Sequence, residues 1–377
     1  MILLAFALSS LLQTPEDAAR RSVERSLAFL EKEGAAWIRE RGCLSCHHVP
    51  FLLWSHREAR DRGVAVDAKK LAEWTAWSRK DELAQQLDRI KLTEPDLEAF
   101  KAGSIDPSTV AKLAPLAQKP PTTEAAFAGD LAKLLSPEEL ASHRDDLLRH
   151  LPREKGDGGG TAAMSFLLLA GVFGAAESDV LSATRDRIRE LQQPDGSWKP
   201  GGGQLFAMKR PAAETIEVTT MWAMIALEEA APKALAFVRK TTPGKGTEGL
   251  AARMIVERKF GDAGAFEALR SELLARQKPD GSWAWIQDDA GDPFATGVVL
   301  YSLTIVGAID DAVAVKARAF LTQSQKEDGS WTLTGLSSRP RPSKDPIYRY
   351  WGTAWASIGL VRTLPEITPA SRSTPPR

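Results

Sequence analysis

The sequence predicts an all-helical protein built from repeated helix pairs, arranged as an α/α barrel or a solenoid. One seven-residue phrase occurs three times, as QQPDGSW at 192–198, QKPDGSW at 277–283 and QKEDGSW at 325–331. An apolar segment that places a Thr seven residues before a Leu follows each copy. No segment shows a convincing strand alternation. Self-similarity of this kind is typical of one supersecondary unit repeated along the chain.

Length and composition fit a globular protein with a large core. The chain has 377 residues, 49 basic and 49 acidic side chains, 43% hydrophobic residues and a pI near 7.0. This balance gives no electrostatic reason for a nucleic-acid partner, and none is expected.

The two ends of the chain differ from the rest. The apolar stretch 2–12 is too short to span a bilayer as a helix, and we interpret residues 1–16 as a secretory signal peptide that directs the protein to the periplasm or another extracytoplasmic space. No Lys or Arg precedes Arg20, so a frayed apolar terminus is the alternative. Residues 367–377 are rich in Pro and Ser and are predicted to be a disordered tail. No transmembrane span is expected.

Between these ends the sequence predicts one domain, 17–366. Its first hairpin is 17–62, an irregular helical segment or insertion covers 63–157, and the repeats cover 158–366. Trp74 and Trp77 in the irregular segment are interpreted as packing residues.

The first element of each repeat is predicted to be an amphipathic outer helix. An Arg stands two helical turns before the Gln of each phrase, at Arg185, Arg270 and Arg318, so Arg and Gln share a helix face. The Asp-Gly pair that follows predicts a tight turn, and the Trp after it leaves the turn with its indole free to pack.

The second element is predicted to be an inner helix. The segments 220–227, 296–303 and 353–360 are apolar nearly all round, which is typical of helices buried on most sides. Segments 161–168 and 247–254 show the same interval more loosely.

The phrases resemble the QW repeat of the squalene-hopene and oxidosqualene cyclases. This resemblance covers about residues 161–363 and implies the α/α-toroid that these enzymes share with protein prenyltransferase β subunits. It also implies that the repeated Gln and Trp side chains tie the outer helices together around the ring. These side chains are Gln192, Trp198, Gln277, Trp283, Gln325 and Trp331.

The reactions of this family do not follow from the resemblance. Its cyclases use an Asp-x-Asp-Asp motif to protonate an alkene or epoxide, and this chain has none. The candidate acids are Asp292, four residues before Thr296, and Glu217, three residues before Thr220. A helix cap is the structural alternative for Asp292. Two other activities of toroids need a Cys in the repeat region, where none occurs: the prenyltransferase zinc site and the internal thioester of complement-type toroids. A polysaccharide lyase is a further alternative, for which the sequence holds no specific motif.

A second signal lies in the first hairpin. Cys43, Cys46 and His47 form Cys-x-x-Cys-His, the attachment motif of c-type haem, in which the thiols form thioethers and the His binds the iron. Such attachment takes place outside the cytoplasm, which agrees with a signal peptide. A redox disulfide between Cys43 and Cys46 and a zinc site that includes His48 are the alternatives.

The sixth iron ligand has no obvious source. No Met lies between Met1 and Met164, which leaves His56, His143, His150, Met164 or no ligand. Cys46 and Leu53 repeat the seven-residue interval of the inner helices, so the motif is predicted to lie at the mouth of the first one. We therefore expect His47, Glu217 and Asp292 at one end of a common cavity.

These observations favour a haem-based or redox function, with a redox partner protein and an apolar or isoprenoid ligand in the toroid. One alternative is a terpene cyclase with a non-standard acid such as Asp292. Another is a non-catalytic binding scaffold with a Cys43–Cys46 disulfide.

Overall fold

The fold is known from a computed structural model, which describes residues 14–83, 87–103, 105–120, 122, 124–149, 153–155, 159–174, 178–201, 205–241, 244–333 and 345–366. The tail predicted at 367–377 and most of the predicted signal peptide lie outside this described part. Within it, no helix is both long and apolar enough to cross a membrane.

Outer and inner helices alternate along the chain, as predicted. The outer helices are α1 (Pro15–Arg41), α3 (Ala68–Ala76, continued by a π-helix Trp77–Leu83), α9 (Ser178–Glu190), α11 (Pro232–Lys240), α13 (Ala263–Ala275) and α15 (Asp311–Ser324). The inner helices are α2 (Val49–Asp61), α8 (Thr161–Leu169), α10 (Ala212–Leu227), α12 (Thr247–Phe260), α14 (Pro293–Ile305) and α16 (Asp345–Arg362).

The inner helices form a closed ring. Each packs against the next in chain order, and α16 packs against α2. The chain is therefore an α/α-toroid, which confirms the predicted fold class and excludes an open solenoid. The only strands in the described part are short antiparallel pairs, β1 (Asp88–Ile90) with β2 (Arg153–Lys155) and β3 (Trp283–Ala284) with β4 (Gly291–Asp292).

The repeated phrases fasten each outer helix to its own turn and to the inner helix that follows. The indole Nε1 of Trp198 donates to the carbonyl of Ile188 on α9 (2.6 Å), and its backbone N–H donates to Thr220 Oγ1 on α10 (2.9 Å). The Gln192 side chain donates to the carbonyl of Gly196 (3.0 Å). The other two copies repeat all three bonds. The role that the resemblance implied, tying outer helices together, is seen for Gln277, which donates to the Val313 carbonyl of α15 (3.2 Å), and for Gln325, which bonds to α1. Gln192 and the three Trp side chains bond within their own repeat.

The last turn closes the ring. Gly329 has φ +83°, and a Cβ there would overlap the Arg25 carbonyl of α1. Gln325 Nε2 donates to the Ser22 carbonyl (2.8 Å), and Ser22 Oγ donates to Gln325 Oε1 (2.7 Å). Outer helices α15 and α1, about 300 residues apart in sequence, are thereby joined.

The centre of the ring is filled with aromatic side chains. Trp222 of α10 contacts Trp355 of α16 with ring centroids 5.5 Å apart. Since α10 and α16 are not neighbours in the ring, this contact crosses its interior. We call the buried rings that meet there the luminal aromatic cluster: Phe51, Trp54, Phe166, Trp222, Phe294, Tyr301, Trp351 and Trp355.

The segment predicted to be irregular divides into two parts. Helix α3 and its π-helical extension pack on the toroid through Leu71 and Leu83, and Trp74 and Trp77 are half-buried against the same core, as predicted. Residues 88–155 hold a second core of their own. That core is built by α4 (Glu94–Ala102), α5 (Pro107–Ala117), α6 (Glu124–Leu134) and α7 (Pro137–Arg149).

Candidate functional site

The amino-terminal ends of the inner helices meet at one end of the toroid, which we call the amino-terminal mouth. Tyr350 at the start of α16 stacks on His48, the residue before α2. Phe294 at the start of α14 contacts Trp351 of α16 (5.4 Å between centroids), and Thr247 at the start of α12 donates to the carbonyl of Ala284 beside α14. His47 and Asp292 therefore lie at the same end of the barrel; the common cavity expected for them and Glu217 stays a prediction.

The cysteine-containing segment forms a turn between α1 and α2. Ser45 has φ +53°, and its Oγ accepts the backbone N–H of His48 (2.9 Å). Trp37 Nε1 on α1 donates to the Cys43 carbonyl (2.8 Å). Cys46 precedes α2, whereas Thr220 and Thr353 lie well inside their helices, so the seven-residue register does not place Cys46 at an equivalent helical position.

Aromatic rings enclose the two histidines of this turn. His48 is stacked between Trp37 (4.1 Å, 15°) and Tyr350 (4.1 Å, 11°). His47 meets the edge of Trp37, and the His47 and His48 Nδ1 atoms are 2.5 Å apart. Burial, with His47 nearby, lowers the pKa of His48 to about 2, because a charged imidazole is poorly solvated there. His48 is therefore neutral at physiological pH.

Cys43 and Cys46 form no disulfide with each other. Cys43 is exposed and Cys46 is half-buried. Burial raises the pKa of the Cys46 thiol to about 12, so this thiol is protonated at neutral pH. Two reduced thiols beside an imidazole are the donor set that covalent haem attachment requires. The chemistry of these residues therefore fits haem c. In the described residues no group of three or more His, Cys, Asp or Glu side chains could hold a metal ion, so the zinc alternative has no support there.

The side chains considered as a sixth iron ligand have other neighbours. His56 Nδ1 lies 2.7 Å from the Leu52 carbonyl, and its ring packs on Trp74. His143 contacts Asp106 (3.0 Å) within the inserted segment. Met164 is buried on α8, and His150 lies outside the described residues.

Asp292 caps α14, as the structural alternative predicted. Its Oδ1 accepts the backbone N–H of Ala295 (2.8 Å) and its Oδ2 that of Trp285 (2.5 Å). The residue is only 4% exposed. Burial raises its pKa to about 7, although the backbone hydrogen bonds act in the opposite direction. Asp292 is thus a cap whose carboxyl also holds a proton near neutral pH.

The other acids near this end are placed differently. Glu217 is buried against Arg253 (3.6 Å), between α10 and α12, and no contact joins it to Asp292 in the described part. Burial raises the pKa of Glu217 above its ordinary value, although the hydrogen bond with Thr241 and the charge of Arg253 act in the opposite direction. The exposed Asp288 pairs with Lys245 (3.0 Å).

Sequence reasoning missed a buried ion pair at this mouth. Arg210 Nη1 donates to Glu248 Oε2 (2.7 Å), and Trp222 Nε1 of the luminal aromatic cluster donates to Glu248 Oε1 (2.9 Å). The Arg210 guanidinium also lies over the Trp285 ring (5.2 Å). The sequence signal that could have indicated this pair was Glu248, an acid at the second position of the inner-helix segment 247–254.

Comparisons with known proteins give structural likenesses at low identity. No family model and no curated protein matches the chain. A variant of the type II terpene cyclase MstE from Scytonema, in complex with merosterolic acid A (product), is 14% identical over 94% of this chain and 99% of that chain, with a TM-score of 0.47. Another MstE variant, in complex with geranylgeranyl dihydroxybenzoate (substrate), is 13% identical over 92% and 98%, with a TM-score of 0.46. A glycosidase variant in complex with glucose is 13% identical over 91% and 97%, with a TM-score of 0.41.

Proposed function

We propose that the toroid receives an apolar polyene of the isoprenoid class at its amino-terminal mouth and isomerises it by proton transfer from Asp292, as a terpene cyclase does. The observation that carries this proposal is the buried carboxyl of Asp292, whose raised pKa leaves it partly protonated at neutral pH beside the luminal aromatic cluster.

The surroundings of Asp292 suit the cation that protonation creates. Two residues further on, the Phe294 ring contacts Trp285 (5.0 Å), Trp351 (5.4 Å) and Trp355 (6.3 Å). The negative faces of aromatic rings stabilise a positive charge, and more strongly where water is excluded. These rings are buried and pack against one another from Phe294 at the mouth to Trp355 and Trp222 at the filled centre, so a substrate must displace side chains to enter.

The reaction balances without an oxidant or a reductant. The O–H bond of Asp292 breaks, and a C–H bond forms at one alkene carbon. The neighbouring carbon becomes a cation, which a second alkene of the chain attacks to close a ring. The final cation then loses a proton from an adjacent carbon to water, and water reprotonates the Asp292 carboxylate, so the product is an isomer of the substrate.

The test is turnover of squalene, followed by gas chromatography and mass spectrometry. We expect cyclic products from the unmodified protein and from Asp288→Asn, which alters an exposed acid at the same end, and none from Asp292→Asn. Absence of cyclic products from the unmodified protein, or their persistence in Asp292→Asn, would overturn the proposal.

A second candidate function is electron transfer or ligand chemistry at a covalent haem c. It is favoured by the place of Cys43, Cys46 and His47 in one turn at the same mouth, where the two cysteines form no disulfide with each other. Cys43 and Cys46 would hold the haem and His47 would bind its iron, and the bound group would supply one-electron chemistry. This function implies export through the segment 1–16 and a redox partner protein.

Production together with a haem-maturation system tests this second function. A haem absorption spectrum that survives denaturation, and that is lost in the Cys43→Ser and Cys46→Ser double variant, is the expected result. A colourless product would contradict it. Titration of the thiols in that product would then show whether the scaffold alternative, with a Cys43–Cys46 disulfide, applies.

A further inference from the structure

A cavity opens at the opposite end of the toroid, where the inner helices terminate. Its volume is about 330 Å³, and its lining comes from five of the six inner helices together with outer helix α9. A cavity of this size falls in the range that small-molecule sites occupy. It is separate from Asp292 and from the cysteine turn, which both lie at the amino-terminal mouth.

One part of the cavity wall is apolar. Leu168 and Leu169 at the end of α8, Phe173 after it, Ile225 at the end of α10 and Ile305 at the end of α14 line it. Such a surface favours a hydrocarbon chain, because its burial removes apolar area from water.

The other part is polar and holds two arginines. Arg362 Nη1 pairs with Glu58 (3.1 Å), and the Arg362 guanidinium lies 5.8 Å from the centre of the Tyr301 ring. Glu228 at the rim pairs with Lys259 (3.7 Å). Both acids of the cavity therefore already have a cationic partner.

Arg185 is the remaining cation. Its Nε is buried without an acceptor, and no ion pair joins its guanidinium to an acid of the described part. Glu229, which interacts with it electrostatically, is paired with Arg189 (3.2 Å), and Arg189 also pairs with Asp186 (2.6 Å). In the second copy of the phrase the equivalent Arg270 has acceptors, the Ala308 carbonyl (3.0 Å) and Asp310 (3.1 Å), whereas Arg318 in the third copy has a buried Nε without one, as Arg185 does.

The helix dipole does not explain the position of Arg185. Arg362 lies in the last turn of α16, where a cation is favourable beside the helix carboxyl terminus. Arg185 lies in the middle of α9, so this explanation does not apply to it. A buried donor without an acceptor is costly, and a ligand that supplies an acceptor would relieve that cost.

We propose that this cavity binds an amphipathic monocarboxylate, such as a medium-chain fatty acid, with the carboxylate on Arg185 and the alkyl chain on the apolar wall. A single guanidinium that forms no ion pair in the described part matches one negative charge, which favours a carboxylate over doubly charged phosphate. A guanidinium can bind both carboxylate oxygens in parallel. The inference does not rest on the proposed function of Asp292.

Octanoate is the probe, with binding to the full chain measured by calorimetry. We expect Arg185→Gln to weaken octanoate binding about tenfold or more, through loss of a charge-assisted bidentate contact. Arg318→Gln is the matched control. It has the same place in its repeat and a buried Nε without an acceptor, but it does not line this cavity. It should bind octanoate as the unmodified protein does.

The head group and the fold are checked separately. Neutral 1-octanol should bind more weakly than octanoate, and inorganic phosphate should not compete with it. Circular dichroism shows whether Arg185→Gln is folded. If the variant is unfolded, the salt dependence of octanoate binding to the unmodified protein replaces it, and weaker binding at high ionic strength supports the proposal. Equal binding by a folded Arg185→Gln, equal binding of 1-octanol, competition by phosphate or no octanoate binding would overturn the proposal.

Discussion

At the scale of single residues, the amino-terminal mouth holds ionisable groups whose neutral forms are favoured by burial. The pKa of Asp292 is raised to about 7, and that of His48 is lowered to about 2. Both shifts have the same cause, which is that a charge is poorly solvated among buried rings. Their effects on stability run in opposite directions with pH.

Asp292→Asn is expected to change how stability depends on pH. The folded-state pKa of about 7 exceeds the ordinary aspartate value of 3.8, so between these values the folded protein binds more protons than the unfolded chain. The free energy of unfolding then falls as pH rises through this window, by up to about 4 kcal/mol. Asn stays neutral, so urea denaturation across this range should show a flatter dependence for Asp292→Asn. An unchanged slope would refute the raised pKa.

His48→Phe tests the opposite case. The folded-state pKa of about 2 lies below 6.5, the ordinary pKa of a histidine. Below pH 6.5 the unfolded chain therefore binds the extra proton, and the free energy of unfolding falls as the pH falls. Phe can keep the stack between Trp37 and Tyr350 but cannot be protonated. Acid denaturation of His48→Phe should begin at lower pH than that of the unmodified protein. The same midpoint in both proteins would argue against a buried, neutral His48.

At the scale of elements, inner helices α14 and α16 approach each other most closely at two glycines. A Cβ on Gly297 would overlap the Trp355 carbonyl, and one on Gly359 would overlap the Gly297 carbonyl. Close packing here brings Phe294 and Tyr301 of α14 against Trp355 of the luminal aromatic cluster. The backbone contact therefore helps to set the shape of the ring interior.

Gly297→Ala should destabilise the protein by about 1–3 kcal/mol or more, since the two backbones must separate. Gly249→Ala on inner helix α12 is the matched control, because its new methyl group would lie 3.5 Å from Val218 in ordinary contact. That substitution should be neutral or slightly stabilising, as Ala favours a helix more than Gly does. Chemical denaturation compares the two, and equal stabilities would contradict the close approach.

At the scale of the whole molecule, the repeats differ in what their Gln side chains join. Gln192 bonds within its own turn, to Gly196, whereas Gln325 also bonds to Ser22 of α1 and so links the end of the ring to its beginning. The inserted core at 88–155 takes no part in this closure. The toroid is held closed by contacts between residues that are far apart in sequence.

Gln325→Met should therefore cost more stability than the chemically identical Gln192→Met. Both remove a bond to a glycine carbonyl, but only Gln325→Met also breaks the bonds to Ser22 (2.7 and 2.8 Å) and the bond that Gln325 Oε1 accepts from Arg25. The expected difference is about 1–3 kcal/mol, from three lost hydrogen bonds at exposed to partly buried sites. Thermal and urea denaturation of the two variants measure it. Equal losses would show that closure depends on other contacts.

Much of the toroid could be predicted from the sequence, because its signals are local. The phrase at 277–283 specifies a helix end, a glycine turn and a Trp whose hydrogen bonds reach Leu273 and Thr296, within about one repeat unit. Asp292 could be identified as a cap for the same reason, since its partners Trp285 and Ala295 lie within seven residues. Helix periodicity and turn chemistry depend on neighbours along the chain.

Other features were decided only by the tertiary structure, because they depend on residues that closure of the ring brings together. The Arg210–Glu248 pair, the stack of His48 on Tyr350 and the cavity beside Arg185 join parts of the chain that no spacing relates. The protonation of Asp292 is decided in the same way, because burial by the folded toroid raises its pKa. Local sequence thus determined the helices, their turns and their order. Solvent exclusion, which exists only in the closed ring, decided the charge states and the places where ligands can bind.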